Sequence, residues 1–374
     1  MNRITTSVLQ SLLLIACLLT GVSGRTDDSI WTLPEKPENA ELTGLLVTPQ
    51  ENIILRYRFR KGSFIESRTR IQLADRNGQV IQTWDLDGFA HVRTDAAGHI
   101  MINISTNESV DRILVADSSG HALFERVTRP LYQSAWPSIY GSEILLATQP
   151  MAETLLFGGM TFLDADTGEV NGTFRKATIG HSGIGFILLG KDHRFILGDG
   201  ATLLMTAYTA PDSPVWKIDN IGGTIDELRF LNQSVCVVSY RGDGYRGKAL
   251  IHMETGNVLY RTVPHHQHWG ESGKKETPGA DRWFVALKNG DMLMIKDVQS
   301  RGDALLLRNQ GEDLSHPRYD PAHVEPVQLP LMSGAVPGSN ELLHQIVFKG
   351  KSLLLMSGNR VRIQDLVFPR KETD

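Results

Sequence analysis

The sequence predicts an all-β chain: a single β-propeller of four-stranded blades, with a strand near the N-terminus closing the ring. Seven blades is the reading, with six and eight as its neighbours. Three observations carry it. Amphipathic helical periodicity is nearly absent after residue 30. In its place come short apolar, β-branched or aromatic runs bounded by Gly, Asn and Asp, the composition of strands and turns. A turn-bearing unit also recurs with a spacing near 44 residues, the length of one four-stranded blade.

Taken in order, the chain begins with an address. Arg3 precedes an apolar stretch from Val8 to Leu19, and Val22-Ser23-Gly24 then leads into Arg25-Thr26-Asp27-Asp28. That order of basic, apolar and small residues is a secretory signal with cleavage expected near Gly24, and the apolar run is short for a membrane span. The expected destination is the periplasm or the exterior. Leu14-Ile15-Ala16-Cys17 also reads as a lipobox that would anchor the chain through Cys17, a lesser alternative because Leu18 and Leu19 continue the apolar run. The expected division is 1–24 signal peptide, 25–40 N-terminal extension, 41–368 propeller and 369–374 tail. No later run approaches the length of a transmembrane helix, so the mature chain is expected to be a soluble monomer.

Composition narrows the functional classes. With 38 Lys+Arg against 42 Asp+Glu the charge is near balance, which speaks against a nucleic-acid footprint. Two cysteines make no disulfide framework. Cleavage would leave only Cys236, in the strand-like run Ser234–Ser239, where a buried thiol is expected. Sequons begin at Asn103, Asn107, Asn171 and Asn232.

The strands read as alternations such as Leu55-Arg56-Tyr57-Arg58-Phe59, and as runs at Ile100–Ile104, Ile113–Ala116, Phe186–Leu189, Met292–Ile295 and Leu353–Met356. The recurring unit is a strand, a polar turn ending in Gly, and a strand carrying an aromatic. Its turns fall at Gly78, Gly120, Gly168, Asp212 and Gly256, spaced 42, 48, 44 and 44. Trp84, Phe124, Phe174, Trp216 and Tyr260 follow by even offsets, so they are expected on one strand face. First hairpin turns are expected near Gly62, Gly98, Gly141, Lys191, Asn232, Gly290 and Gly350. The last blade, Leu342 to Leu366, shows three strands, and Leu42–Val47 is expected to supply the fourth, which removes the sheet edge.

The Asp/Glu-Thr-Gly-x-Val turns at 166–170 and 254–258, each with a trailing aromatic, resemble the repeats of PQQ-like, quinoprotein-type propellers. The stretch Ile71–Trp84 is similar to a blade of the arylsulfotransferase-type propellers. The resemblance implies the fold. It carries over neither cofactor nor chemistry, because the matching residues are scaffold.

Candidate functional residues follow from the repeat arithmetic. His91 and His181 each lie thirteen residues after a turn glycine, and His265, His266 and His268 lie nine, ten and twelve after Gly256. All would project from one face on three blades, making His91, His181 and His268 the candidate catalytic group. The pair His266 and His268 suits a divalent metal, with neutral imidazole as the ligand. It opens the long insertion Pro264–Asp281. Arg126, Arg129, Arg175, Arg241, Tyr245, Arg246 and Arg261 would form an anion-binding rim, since arginine offers a fork to carboxylate or sulfate. No P-loop, nucleophile elbow, zinc-protease motif or haem attachment is present.

Two classes of function are expected. One is an exported binding module that engages an envelope or extracellular protein, or an anionic glycan, at the funnel face. The other is an enzyme of sulfotransferase or polysaccharide-lyase type, using the same His/Arg/Tyr face on an anionic substrate.

Overall fold

The computed structural model describes residues 29–369 apart from 62–63, 107–109, 128–136, 149–156, 178–185, 208, 211–212, 233, 243–244, 263–282, 296–302, 312, 330–341, 349–350, 358–359, 365 and 367. These residues form seven four-stranded sheets. Strand β1 (Ser29–Thr32) comes first in the chain but belongs to the last sheet. Blade 1 is β2 (Ala40–Val47), β3 (Ile53–Lys61), β4 (Phe64–Ala74) and β5 (Val80–Asp87). Blade 2 is β6 (Phe89–Thr94), β7 (Ile100–Ser105), β8 (Val110–Ala116) and β9 (Ala122–Val127). Blade 3 is β10 (Ser138–Tyr140), β11 (Glu143–Thr148), β12 (Phe157–Asp164) and β13 (Val170–Ala177). Blade 4 is β14 (Phe186–Leu189), β15 (Arg194–Asp199), β16 (Thr202–Ala207) and β17 (Trp216–Ile218). Blade 5 is β18 (Thr224–Phe230), β19 (Val235–Gly242), β20 (Tyr245–His252) and β21 (Val258–Arg261). Blade 6 is β22 (Trp283–Ala286), β23 (Met292–Ile295), β24 (Asp303–Asn309) and β25 (Tyr319–Gln328). Blade 7 is β26 (Leu342–Phe348), β27 (Lys351–Ser357), β28 (Arg360–Gln364) and, as its outer strand, β1.

The first strands of successive blades approach one another. Strand β6 meets β10, β10 meets β14, β14 meets β18, β22 meets β26, and β26 meets β2. They therefore surround the axis, and the chain is a seven-bladed β-propeller. Among the described residues no helix is long and apolar enough to cross a membrane.

An N-terminal strand closes the ring as expected, but it is a different one. Leu42–Val47 lies in β2, where Leu42 pairs with Tyr57 and Val47 with Ile53, so it is the inner strand of blade 1. Closure comes from β1, in antiparallel register with β28 from Ser29↔Ile363 to Thr32↔Arg360. Four residues show too little alternation to announce a strand. Their anchor is Trp31, buried in one cluster with Leu33, Leu45, Val47, Ile53 and Tyr57. That cluster joins the closing strand to blade 1, and burying the Trp ring stabilises the closure by roughly 2–3 kcal/mol.

The first hairpin turn of blade 1 is also relocated. It spans the residues between Val47 and Ile53, where Glu51 N–H donates to the Thr48 carbonyl at 3.0 Å, whereas Gly62 falls between β3 and β4. The expected first turns at Gly98, Gly141, Lys191, Asn232 and Gly290 separate the first two strands of their blades, and Gly350 lies outside the described residues.

The repeat turns join the third strand of a blade to its fourth, and each meets the outer strand of the preceding blade. Gly120 rests against Gln82, Gly168 against Phe124, Gly256 against Trp216, and Gly78 against Thr32 of the closing strand. Trp216 adds a bond of its own across the boundary, its Nε1–H donating to the Met253 carbonyl at 2.8 Å. By register the positions of the trailing aromatics fall on one face but in two registers. Phe124, Trp216 and Tyr260 pair with Val115, Met205 and Leu250, while Trp84 and Phe174 pair with Ile71 and Met160, two residues further from the turn. A shift of two residues preserves the face, as strand alternation requires. Cys236 and Asn103 are fully buried, so the Asn103 sequon presents no exposed side chain.

Candidate functional site

Arg56 and Arg58 of β3 in blade 1 come near His91 and Arg93 of β6, the inner strand of blade 2. Arg56, on the second strand of blade 1, extends over the inner strand. Its Nε–H donates to Thr43 Oγ1 at 3.2 Å, its Nη2–H to the Thr43 carbonyl at 2.8 Å, and its Nη1–H to the Ala90 carbonyl at 3.3 Å. Gly44 lets it pass, since a Cβ there would stand 3.1 Å from Arg56 Nε. Nη1 also reaches His91 Nδ1 at 3.0 Å. An arginine only donates, so Nδ1 accepts, and His91 is neutral with its proton on Nε2. Burial is the main cause that draws His91 down to about 4, reinforced by the charges of Arg56, Arg58 and Arg93. Burial and then the charge of Arg58 likewise lower Arg56.

Arg58 lies two residues along the same strand face, with its guanidinium 4.9 Å from the centre of the Phe89 ring. Its Nε has no hydrogen-bond partner. Arg93 follows His91 by two residues on β6, and among the described residues it makes no hydrogen bond or ion pair. Burial pulls its pKa down to about 10, so it stays charged near neutral pH. His91 pairs with Asn103 and Arg93 with Met101 across β6 and β7, which sets Asn103 on the sheet face shared by His91 and Arg93. Asn103 is 0% exposed, and neither its amide nitrogen nor its amide oxygen has a partner. Leaving such groups unpaired costs about 1–3 kcal/mol each. A protein retains that cost more readily where a ligand removes it.

Of the expected site residues, the structure brings His91 to this cluster. Arg126 lies on β9, the outer strand of blade 2, and donates to the Gly168 carbonyl of blade 3 at 3.3 Å. Arg241 is exposed at the end of β19 and ion-paired with Asp226 at 3.0 Å, Arg246 is exposed on β20, and Arg261 is exposed on β21. Arg175 and Tyr245 lie in β13 and β20, with side chains outside the described residues. His181, His265, His266, His268 and Arg129 lie outside them altogether, as does most of the insertion Pro264–Asp281. Among the described residues no group of three or more His, Cys, Asp or Glu could hold a metal.

Arg56 and Arg58 are visible in the sequence as the alternation on β3, but Arg93 and Asn103 carry no local signal there. What distinguishes them is the lack of a partner among the described residues, and that is a property of the folded neighbourhood.

No family model matches the chain, and no curated protein matches it. Solved structures do. The structure described as U3-55K aligns with a TM-score of 0.56 at 14% identity, covering 90% of this chain and 98% of the other. The WD40 repeats of RRP9 align at 0.54 and 14%, covering 91% and 98%. A chain of the mitotic checkpoint complex aligns at 0.51 and 9%, covering 92% and 94%. Identities this low show the scaffold alone: over nearly its whole described length the chain has the β-propeller fold found in WD40 proteins.

Proposed function

We propose that the chain is an exported β-propeller binding module that takes an anionic glycan at the inner strands of blades 1 and 2. One observation carries the reading. Arg56, Arg58, Arg93 and neutral His91 stand together there, and the last three include two guanidinium groups without a carboxylate partner among the described residues. The chain as a whole is slightly acidic, so the local excess of positive charge is a feature of this place rather than of the surface. Two blades contribute to it, the second strand of blade 1 and the inner strand of blade 2. Binding is favoured over catalysis because Nδ1 of His91, the described member of the candidate catalytic histidines, is already held by Arg56.

The test is titration of the purified chain with a polyuronate and with a sulfated glycan at low and high salt. The expected result is salt-sensitive binding to an anionic glycan, weakened at least tenfold in the Arg56→Ala/Arg58→Ala double variant. Binding that the double variant retains in full, or capture of an envelope protein with no glycan affinity, would overturn the reading.

A further inference from the structure

Blade 5 repeats the blade 2 register, keeping the arginine and changing the other two polar side chains. In blade 2, Thr94 pairs with Ile100, Arg93 with Met101 and His91 with Asn103. In blade 5, Phe230 pairs with Cys236, Arg229 with Val237 and Glu227 with Ser239. Counted from the turn, the two registers match as far as Glu227↔Ser239, beyond which β18 carries a bulge that β6 lacks, so Arg93 corresponds to Arg229, His91 to Glu227 and Asn103 to Ser239. In blade 5 the three polar groups satisfy each other. Glu227 Oε1 accepts from Arg229 Nε at 3.0 Å, and Glu227 Oε2 accepts from Ser239 Oγ at 2.9 Å. Arg229 then spends an Nη2–H on the Phe284 carbonyl of the next inner strand at 3.1 Å.

Blade 2 has the arginine and the hydrogen-bonding side chain but no carboxylate between them. Histidine stands where blade 5 has glutamate, and its Nδ1 is turned to Arg56. The Asn103 amide, 0% exposed, is left with both polar atoms unpartnered, and Arg93 has no anion among the described residues. A half-buried guanidinium and a buried amide on one sheet face are completed by a group that accepts from both. The blade 5 hairpin shows which group this geometry takes.

We infer that the Arg93/Asn103 pair of blade 2 is a recognition site for a carboxylate of a ligand, which occupies the role that Glu227 plays inside blade 5. The inference deepens the anionic-glycan reading and rests on it for the source of the carboxylate. The same chemistry is offered by a free hydroxy acid and by a uronate residue of a glycan. In either case a neighbouring hydroxyl of the ligand donates to the Asn103 amide oxygen, while the carboxylate accepts from the amide nitrogen and from Arg93.

The experiment is calorimetric titration of the full chain with D-glucuronate, with D-glucose as its neutral counterpart, and with inorganic sulfate. Each is run on the native protein, on Arg93→Gln and on His91→Glu. Native protein is expected to bind glucuronate and not glucose, with sulfate at least tenfold weaker. Arg93→Gln is expected to weaken glucuronate at least tenfold. His91→Glu places in blade 2 the carboxylate that blade 5 already has, so it is expected to compete with the ligand and abolish binding. Glucuronate affinity unchanged within twofold in Arg93→Gln overturns the inference, as does sulfate bound as tightly as glucuronate. If His91→Glu does not fold, as read by its far-ultraviolet dichroism, Arg93→Gln decides alone.

A uronate oligomer that binds with the same dependence on Arg93 places the carboxylate on a glycan, and a response to the monomer only places it on a free acid. Glycan binding that ignores Arg93 sinks the inference and leaves the glycan reading standing. Arg93-dependent glucuronate binding with no glycan affinity does the reverse.

Discussion

The ring of Phe124 lies directly against the α-carbon of Gly168: a Cβ at position 168 would stand 2.8 Å from Cγ and Cδ2 of that ring. Phe124 belongs to the outer strand of blade 2, and Gly168 to the last turn of blade 3. The same backbone carries a second tie, from Arg126 to the Gly168 carbonyl. One residue type thus serves both a turn and a boundary between blades.

Gly168→Ala is expected to cost more than a turn glycine alone would. The positive φ of +71° penalises any L-residue by roughly 1–2 kcal/mol. Crowding a packed ring adds roughly 1–3 kcal/mol. Gly141 supplies the comparison, because its φ is +54° but among the described residues nothing lies within 4 Å of an added Cβ. Denaturant unfolding of the two alanine variants should therefore separate them by at least about 1 kcal/mol, with Gly168→Ala the weaker. Equal losses would show that the contact between blades contributes nothing beyond turn geometry.

A second tie between the same blades responds to pH. His99 bonds Asp95 through Nδ1 at 2.8 Å and Asp166 of blade 3 through Nε2 at 3.0 Å, and Asp95 Oδ2 also accepts the Ser142 N–H of blade 3. Burial opposes charge on the ring. The hydrogen bonds and charges of the two carboxylates outweigh it and raise the His99 pKa above its ordinary value. The unfolded ring titrates near ~6.5, so the stabilisation is complete below that pH and is lost as pH rises through the higher folded value. The stability gap between native protein and His99→Gln should be larger at pH 6 than at pH 9. A gap independent of pH would remove the ion pair from the account.

The blade rhythm is legible in the sequence because it is written in turn chemistry. Gly120, Gly168 and Gly256 must admit the outer strand of the previous blade, so their spacing reports the blade itself. The closing strand is not legible in the same way. Ser29–Thr32 is short, and the fact that makes it a strand is the register with β28, more than three hundred residues away. His91 is found by its offset from Gly78. Arg93 and Asn103 are missed because the sequence shows ordinary alternation there, and only the register with β7 reveals that His91-Val92-Arg93 takes the place of Glu227-Leu228-Arg229. The insertion holding His265, His266 and His268 is conspicuous in sequence but falls outside the described residues.

Cys236 offers a probe of global opening. It is 0% exposed, and burial pushes its thiol up to about 12. The thiolate is the reactive form, so at pH 8 the folded chain should leave this residue unlabelled by a thiol reagent over hours. Labelling should appear in parallel with loss of far-ultraviolet dichroism as denaturant is added. Rapid modification of Cys236 under native conditions would show that blade 5 opens locally.

The charge cluster itself is testable through the titration of His91. Its pKa of about 4 has burial as the largest cause and the charge of Arg56 as the next, ahead of Arg58 and Arg93. Replacing Arg56 with Gln removes one positive neighbour and weakens the donor that holds Nδ1 in its accepting form. The His91 pKa should rise in Arg56→Gln, yet remain below the unfolded value near ~6.5 because burial persists. The ring Hε1 resonance followed from pH 3 to 8 reports both numbers directly. Stability carries the same information with a definite sign. Between about 4 and about 6.5 the unfolded chain takes up a proton that folded His91 refuses, so the native state loses stability as pH falls through that window. Arg56→Gln should narrow the window from its acid side. A native His91 that already titrates near ~6.5 would mean that it is neither buried nor surrounded by the guanidinium groups of Arg56, Arg58 and Arg93 in solution, and the anion site at blades 1 and 2 would lose its basis.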